Sequence, residues 1–177
     1  MIAWWGEHAQ GELSDALARC RAELATTIES ASPTEWIDLP LHCELIGALR
    51  ERCGAERFAR EYVAASDHAL RLPLFEGMIR PLVRLAGRRA LFRGFARGWG
   101  MIMRGCGDVD VARGDTKNTS DVCFTGVPLA IARDEAYRES VASVLEALME
   151  RGGFPGTVTL DASATARGQL RYRLTVA

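Results

Sequence analysis

Lysine is nearly absent from this chain of 177 residues: Lys117 is the single one, so almost all of the 22 basic residues are arginine. Histidine is scarce as well, limited to His8, His42 and His68. No stretch approaches the roughly 18 uninterrupted apolar residues that a membrane-spanning helix needs. The start, MIAWWGEHAQGE, lacks a basic region followed by an apolar one, as a secretory leader would have. Both absences predict a cytoplasmic protein with no membrane span. The five cysteines (Cys20, Cys43, Cys53, Cys106, Cys123) are odd in number, irregularly spaced and never arranged as CxxC. That pattern fits reduced, mostly buried thiols and excludes a zinc site of closely spaced cysteines. Catalytic signatures are missing too. There is no GxSxG, P-loop or GxGxxG, and RGCGDV at 104–109 lacks the third glycine and leads into a strand, where a phosphate loop leads into a helix. Cys106 has no identifiable base, and Asp108 and Asp110 read as a solvated strand face. No enzymatic activity is expected.

A composition 48% hydrophobic and 25% charged is that of a globular domain, and the length suffices for one core. Residues 12–30 suit one helix with a stripe of Leu13, Ala16, Leu17, Leu24 and Ile28. Ser32-Pro33-Thr34-Glu35 has the form of a capping box. Asp38 can open a helix running through Cys53 with Gly54 as its stop, and Glu56–Leu70 follows with Phe58, Tyr62, Ala65 and Ala69 on one stripe. Gly77–Arg104 holds seven arginines and no Asp or Glu. It splits at Gly87 into two helices whose apolar faces are Ile79, Leu82, Val83 and Ala86, then Phe92, Phe95, Ala96 and Trp99. Beyond Gly100 the period becomes two, predicting a hairpin over DVDVARGDTKNTSDVCFTG. Asp134 opens an amphipathic helix with Tyr137, Val141, Val144, Leu145 and Leu148 inward, closed by Gly152-Gly153. The last 21 residues, TVTLDASATARGQLRYRLTVA, alternate again, with Leu170, Tyr172, Leu174 and Val176 inward. The expected fold is therefore α+β: N-terminal helices followed by a ββαββ unit with a four-stranded antiparallel sheet, in a single domain 1–177.

The runs GRRALFRGFARGWG, FTGVP, AYRESVASVLEALMERGGFPGTVTL and LRYRL resemble an uncharacterised, mainly myxobacterial family of similar length. That family is itself distantly similar to the haem-NO-binding, vinyl-reductase and TRAPP-subunit-like domains. The resemblance covers roughly residues 36–176, which it implies form a TRAPP-like core, with 1–35 as an N-terminal extension or dimer arm. It implies a non-enzymatic ligand-sensing or adaptor domain in bacterial signalling, binding a small apolar ligand or a protein partner between helices and sheet. The aromatic and methionine path that would line such a site is Phe75, Met78, Phe92, Phe95, Trp99 and Met101; the alternative is that these side chains fill the core. Haem-binding members use a helical histidine, for which His42 and His68 are the helical candidates here; each reads more simply as a partly exposed or hydrogen-bonded histidine, so no cofactor is expected, haem being the alternative.

Arg80, Arg84 and Arg88, then Arg89, Arg93 and Arg97, recur at four-residue spacing and form two basic stripes. The N-terminal 38 residues carry seven acids against Arg19 and Arg21. Opposite charges of this kind predict that Arg80, Arg84, Arg93 and Arg97 are interface residues that meet carboxylates, within the chain or across a homodimer. The alternative is a surface-binding protein using 77–104 on anionic lipid or nucleic acid. A pI of about 6.3 and the lack of a reading element argue against nucleic acid.

Overall fold

The computed structural model describes residues 2–30 and 38–177, with side chains throughout except at 29, 30, 74, 78, 80, 82–86, 101, 102, 164 and 166. The helices of the first half are α1 (Ile2–His8), α2 (Gln10–Leu17), α3 (Ala22–Ser30), α4 (Leu39–Cys53), α5 (Ala55–Leu70) and α6 (Pro73–Ile102). The second half runs β1 (Asp108–Arg113), β2 (Thr119–Thr125), α7 (Leu129–Arg133), α8 (Glu135–Arg151), β3 (Gly156–Asp161), a 3₁₀ turn (Ala162–Arg167) and β4 (Leu170–Val176). The expected α+β order is the observed one.

All strand pairs are antiparallel, in the order β1-β2-β4-β3. Side chains alternate between faces, so the register puts Phe124 opposite Leu170, and Val122 and Leu160 opposite Tyr172, all facing the helices. The outer face carries Asp110, Cys123, Arg171 and Asp161 in one cross-strand row. Gly156 is required where β3 meets β4, because a Cβ there would collide with the Thr175 carbonyl.

Helix α8 covers the inner face. Asp134 opens it, its Oδ1 accepting the Tyr137 N–H at 2.8 Å, so one of the unpaired N-terminal amides is satisfied. Tyr137, Val141, Leu145 and Leu148 are buried at helical spacing. From the other side Ser143 Oγ donates to the Ala59 carbonyl of α5 at 3.3 Å, and Tyr172 Oη donates to the Arg138 carbonyl at 3.0 Å. The helix is thus held between α5 and β4 by both apolar contact and hydrogen bonds.

The expected helix over 12–30 is two. The amides of Arg19 and Cys20 bond to carbonyls three residues back, tightening the end of α2. Glu44 of α4 then takes the Arg21 N–H at 2.6 Å and its guanidinium at 2.7 Å. A tertiary carboxylate has replaced the intrahelical partner, and the chain turns there. The break at Gly87 is as expected: φ is 68° and ψ −174°, a conformation that glycine adopts without steric cost. Helices α1 and α7 and the 3₁₀ turn are too short for periodicity to reveal. The capping box at Ser32–Glu35 lies outside the described residues. At the N-terminus Trp4 and Trp5 are buried in the common core, Trp5 only 2% exposed.

Candidate functional site

The second half of α6, residues 88–102, lies between the helical layer and the sheet. Its inward positions are Leu91, Phe92, Phe95 and Trp99, spaced three and four residues apart, and all are buried. Phe95 packs on Trp99 at 5.2 Å between ring centroids, Trp99 meets Phe124 of β2 edge-on at 5.2 Å, and Phe124 meets Tyr172 of β4 at 5.8 Å. Two of the expected ligand-lining residues, Phe95 and Trp99, therefore come together in one aromatic column, and Phe92 is buried one turn before Phe95. Phe75, on the first half of α6, is half-buried. The side chains of Met78 and Met101 are outside the described set.

Buried donors on α6 and α8 lack a strong acceptor among the described residues. Trp99 Nε1 is buried without a hydrogen-bond partner among the described residues, and Tyr137 Oη on α8 has only the Cys106 thiol, a weak partner, beside it. A buried polar group left unpaired costs about 1–3 kcal/mol, so both positions are sites where an acceptor would be stabilising. Burial pushes the Tyr137 phenol and the Cys106 thiol up, and holds Cys43 at about 12. These groups stay protonated at neutral pH and offer no nucleophile.

The arginines of α6 divide by face. Arg88 donates to the carbonyls of Lys117 and Asn118, at 2.5 and 3.0 Å, and pins the β1–β2 loop. Arg89, Arg93 and Arg97 are exposed. Ion pairs of the described residues run through other arginines: Arg52 to Asp15 at 2.8 Å, Arg57 to Glu12 at 2.7 Å and Arg21 to Glu44 at 2.7 Å. Arg93 and Arg97 take part in none, and the side chains of Arg80 and Arg84 are outside the described set. The acids of α2 meet α4 and α5, the helices they pack on.

One charged cluster was invisible in the sequence. Asp121 of β2 is 1% exposed although it sits on the outer face of the sheet, because Arg171 and Arg173 of β4 fold over it. Burial alone would raise its carboxyl, but hydrogen bonds from Arg173 and Arg171 outweigh this and hold it below the usual range. The signal was the R-x-R of β4, which register alone brings opposite Asp121. Asp108 and Asp110 are exposed on β1. Among the described residues no three Cys, His, Asp or Glu side chains converge on a point where a metal ion would sit.

No family model and no curated protein matches the chain. Solved structures do. The chain is similar to the Fe(II) unliganded H-NOX protein from K. algicida, with a TM-score of 0.65 and 6% identity over 99% of this chain and 92% of that one. It is similar also to the IWP-051-bound H-NOX from Shewanella woodyi in the Fe(II)CO state, with a TM-score of 0.60, 10% identity and coverage of 99% and 90%. The architecture is thus that of the H-NOX (haem-nitric oxide/oxygen binding) fold, shared over nearly the whole length at low identity. This establishes the fold and leaves the ligand open.

The residues here do not fit haem. Helix α6 contains no histidine. His8 stacks on Trp4 and bonds its carbonyl at 3.0 Å. His42 lies on α4 and does not line the cleft of about 460 Å³ there, whose walls mix Arg19, Glu44, Glu51 and Asp134 with Cys20, Pro40, Cys43 and Ala48, where haem needs an apolar slot with an axial ligand. Burial lowers its imidazole to about 4 despite the nearby Asp134 carboxylate. His68 is half-buried on α5. The aromatic column between α6 and the sheet leaves no slot the size of a porphyrin among the described side chains.

Proposed function

We propose that this chain is a non-enzymatic ligand-sensing or adaptor domain of bacterial signalling that takes a small apolar molecule, carrying one hydrogen-bond acceptor, at the junction of α6 and the sheet. The observation that carries the reading is Trp99 Nε1, a buried donor without a partner among the described residues, with Tyr137 Oη meeting only the weak Cys106 thiol nearby in a largely apolar interior. A ligand carbonyl or ether there would satisfy a donor whose desolvation has already been incurred, while Phe92, Phe95 and Phe124 supply apolar contact. The fold shared with solved H-NOX structures, one of them bound to IWP-051 in the Fe(II)CO state, supports the reading. Protonated thiols and the absence of catalytic signatures support a role without chemistry.

Native mass spectrometry and an absorbance spectrum of the protein as purified test this. The expected result is a small-molecule adduct lost on denaturation, without a Soret band, and weakened when Trp99→Phe removes the donor but keeps the ring. A clean apo mass in every preparation, together with no change on Trp99→Phe, overturns it.

A second reading is favoured by the exposure of Arg89, Arg93 and Arg97 at four-residue spacing, unpaired among the described residues. Such a stripe suits an anionic surface, lipid or nucleic acid. Titration against anionic vesicles and against duplex DNA at two salt concentrations separates it from the first, since only surface binding is lost on Arg93→Glu/Arg97→Glu.

A further inference from the structure

The sheet ends on two edges that are treated differently. At β1 the Gly114 amide bonds the Thr119 carbonyl, so Gly114, Ala112, Asp110 and Asp108 face β2 and the amides of Val109, Val111 and Arg113 point outward. The Val111 amide is capped by the neighbouring Asp110 Oδ1 at 2.8 Å. Asp108 and Asp110 also put two like charges along that edge, and α6 packs beside it. These are devices that stop a strand from recruiting another.

Among the described residues strand β3 has neither an amide cap nor a pair of like charges. The Ala177 amide bonds the Pro155 carbonyl, so by alternation Thr157, Thr159 and Asp161 face β4 while Gly156, Val158 and Leu160 direct their amides and carbonyls outward. Among the described residues no side chain caps the amides of Val158 or Leu160. The strand, GTVTLD, has no lysine, no proline and no charge before its last residue. Beside it runs an open groove of about 300 Å³, with Ala142 and Leu160 as an apolar floor and Arg50, Glu135, Arg138 and Glu139 as walls.

We propose that β3 pairs antiparallel with β3 of a second copy of this chain, joining two sheets into one of eight strands. A two-fold axis at Thr159 fits the residues best. It sets Val158 opposite the partner's Leu160 twice on the inner face, adding apolar contact over the Ala142 floor, and it sets Thr159 opposite the partner's Thr159. An axis at Val158 would instead waste Leu160 against a glycine. The walls are self-complementary in charge. Arg50 grips Glu139 at 2.8 Å, and Glu135, 65% exposed, reaches Arg50 at 3.2 Å and Arg138 at only 4.0 Å, so its carboxylate is placed to meet an arginine of the approaching copy. Proteins of other sequence would meet the same free edge but not this matched set of charges. The inference is independent of the ligand reading above.

Sedimentation velocity over a dilution series, with circular dichroism to confirm folding, tests it. Wild type is expected to dimerise. Thr159→Lys and Thr159→Asp each place like charges face to face at the axis and should weaken the dimer by about tenfold or more, while an equimolar mixture of the two should restore it. Amide exchange at Val158 and Leu160 should slow with concentration in wild type and not in either variant. A wild type that stays monomeric overturns the proposal and leaves the edge to a strand from a different protein. A dimer that survives both Thr159 variants but dissociates on Arg93→Glu/Arg97→Glu also overturns it, placing the contact on α6.

Discussion

The helical half and the sheet half of this protein are held by different forces. Helices α2 to α5 are laced at their rims by ion pairs whose partners keep substantial solvent contact: Arg52 is 45% exposed beside Asp15, and Arg21 is 58% exposed beside Glu44. The sheet half is held by the closed column Phe95–Trp99–Phe124–Tyr172, by the buried stripe of α8 and by one carboxylate sealed between two arginines. Solvent screens the first kind of interaction and hardly reaches the aromatic column, the α8 stripe or the Asp121 carboxylate, although Arg171 and Arg173 keep 43% and 39% exposure. The sheet half should therefore set the stability of the whole domain, and the rim pairs should tune only how the helices sit.

The sharpest break of that contrast is Leu145→Ala. Leu145 is fully buried at the centre of α8, and removing it leaves a cavity between helix and sheet, with an expected loss of about 2–5 kcal/mol in chemical denaturation. Asp121→Asn should follow at about 1–2 kcal/mol, because it leaves Arg171 and Arg173 without their shared anion while their own exposure of 43% and 39% limits the loss. Its pH signature is specific. The folded carboxyl titrates below its unfolded value of 3.8, so the stability it contributes is present above that value and lost as pH falls through the lowered one. Acid unfolding of Asp121→Asn should lack this component.

His42 extends the comparison to the helical half, where it is the exception to rim electrostatics. Its folded pKa of about 4 lies below the ordinary 6.5, so between these values the unfolded chain binds the extra proton. Stability should fall as pH drops from 6.5 toward 4, by up to roughly 2–3 kcal/mol, and His42→Gln should flatten that slope in thermal melts over the same window. The smallest effect belongs to the rim. Arg57→Ala removes contacts to Glu12 and Glu61 at 2.7 and 3.7 Å, yet its exposure limits the loss to about 0–1 kcal/mol, further reduced by salt. A rim variant that costs as much as Leu145→Ala would undo the contrast.

What was legible before the structure follows from period. Two-residue alternation in DVDVAR and LRYRLTV, and the i, i+4, i+7, i+8 stripe of α8, are local consequences of where each Cβ points, so strands, helix and inward faces were readable. Gly87 was readable for the same reason, a helix-breaking residue between two apolar stripes. The site was legible in part: Phe92, Phe95 and Trp99 share a helical face, which put them together in advance. That Trp99 would be left without an acceptor among the described residues was not, because this depends on how α6 packs on the sheet.

The sequence by itself therefore determined the element types, the α+β order and the residues of each inward face, since these depend on spacing along one segment. Only the tertiary structure decided which acid met which arginine, why the chain breaks after Leu17, how Asp121 comes to be buried on an outer face and which sheet edge is capped. Each of these depends on a partner far away in the chain or on strand register. Aggregate charge carries no information about either: the acids of α2 found Arg52 and Arg57 rather than the richer stripe on α6, because helix packing had already brought those arginines within reach.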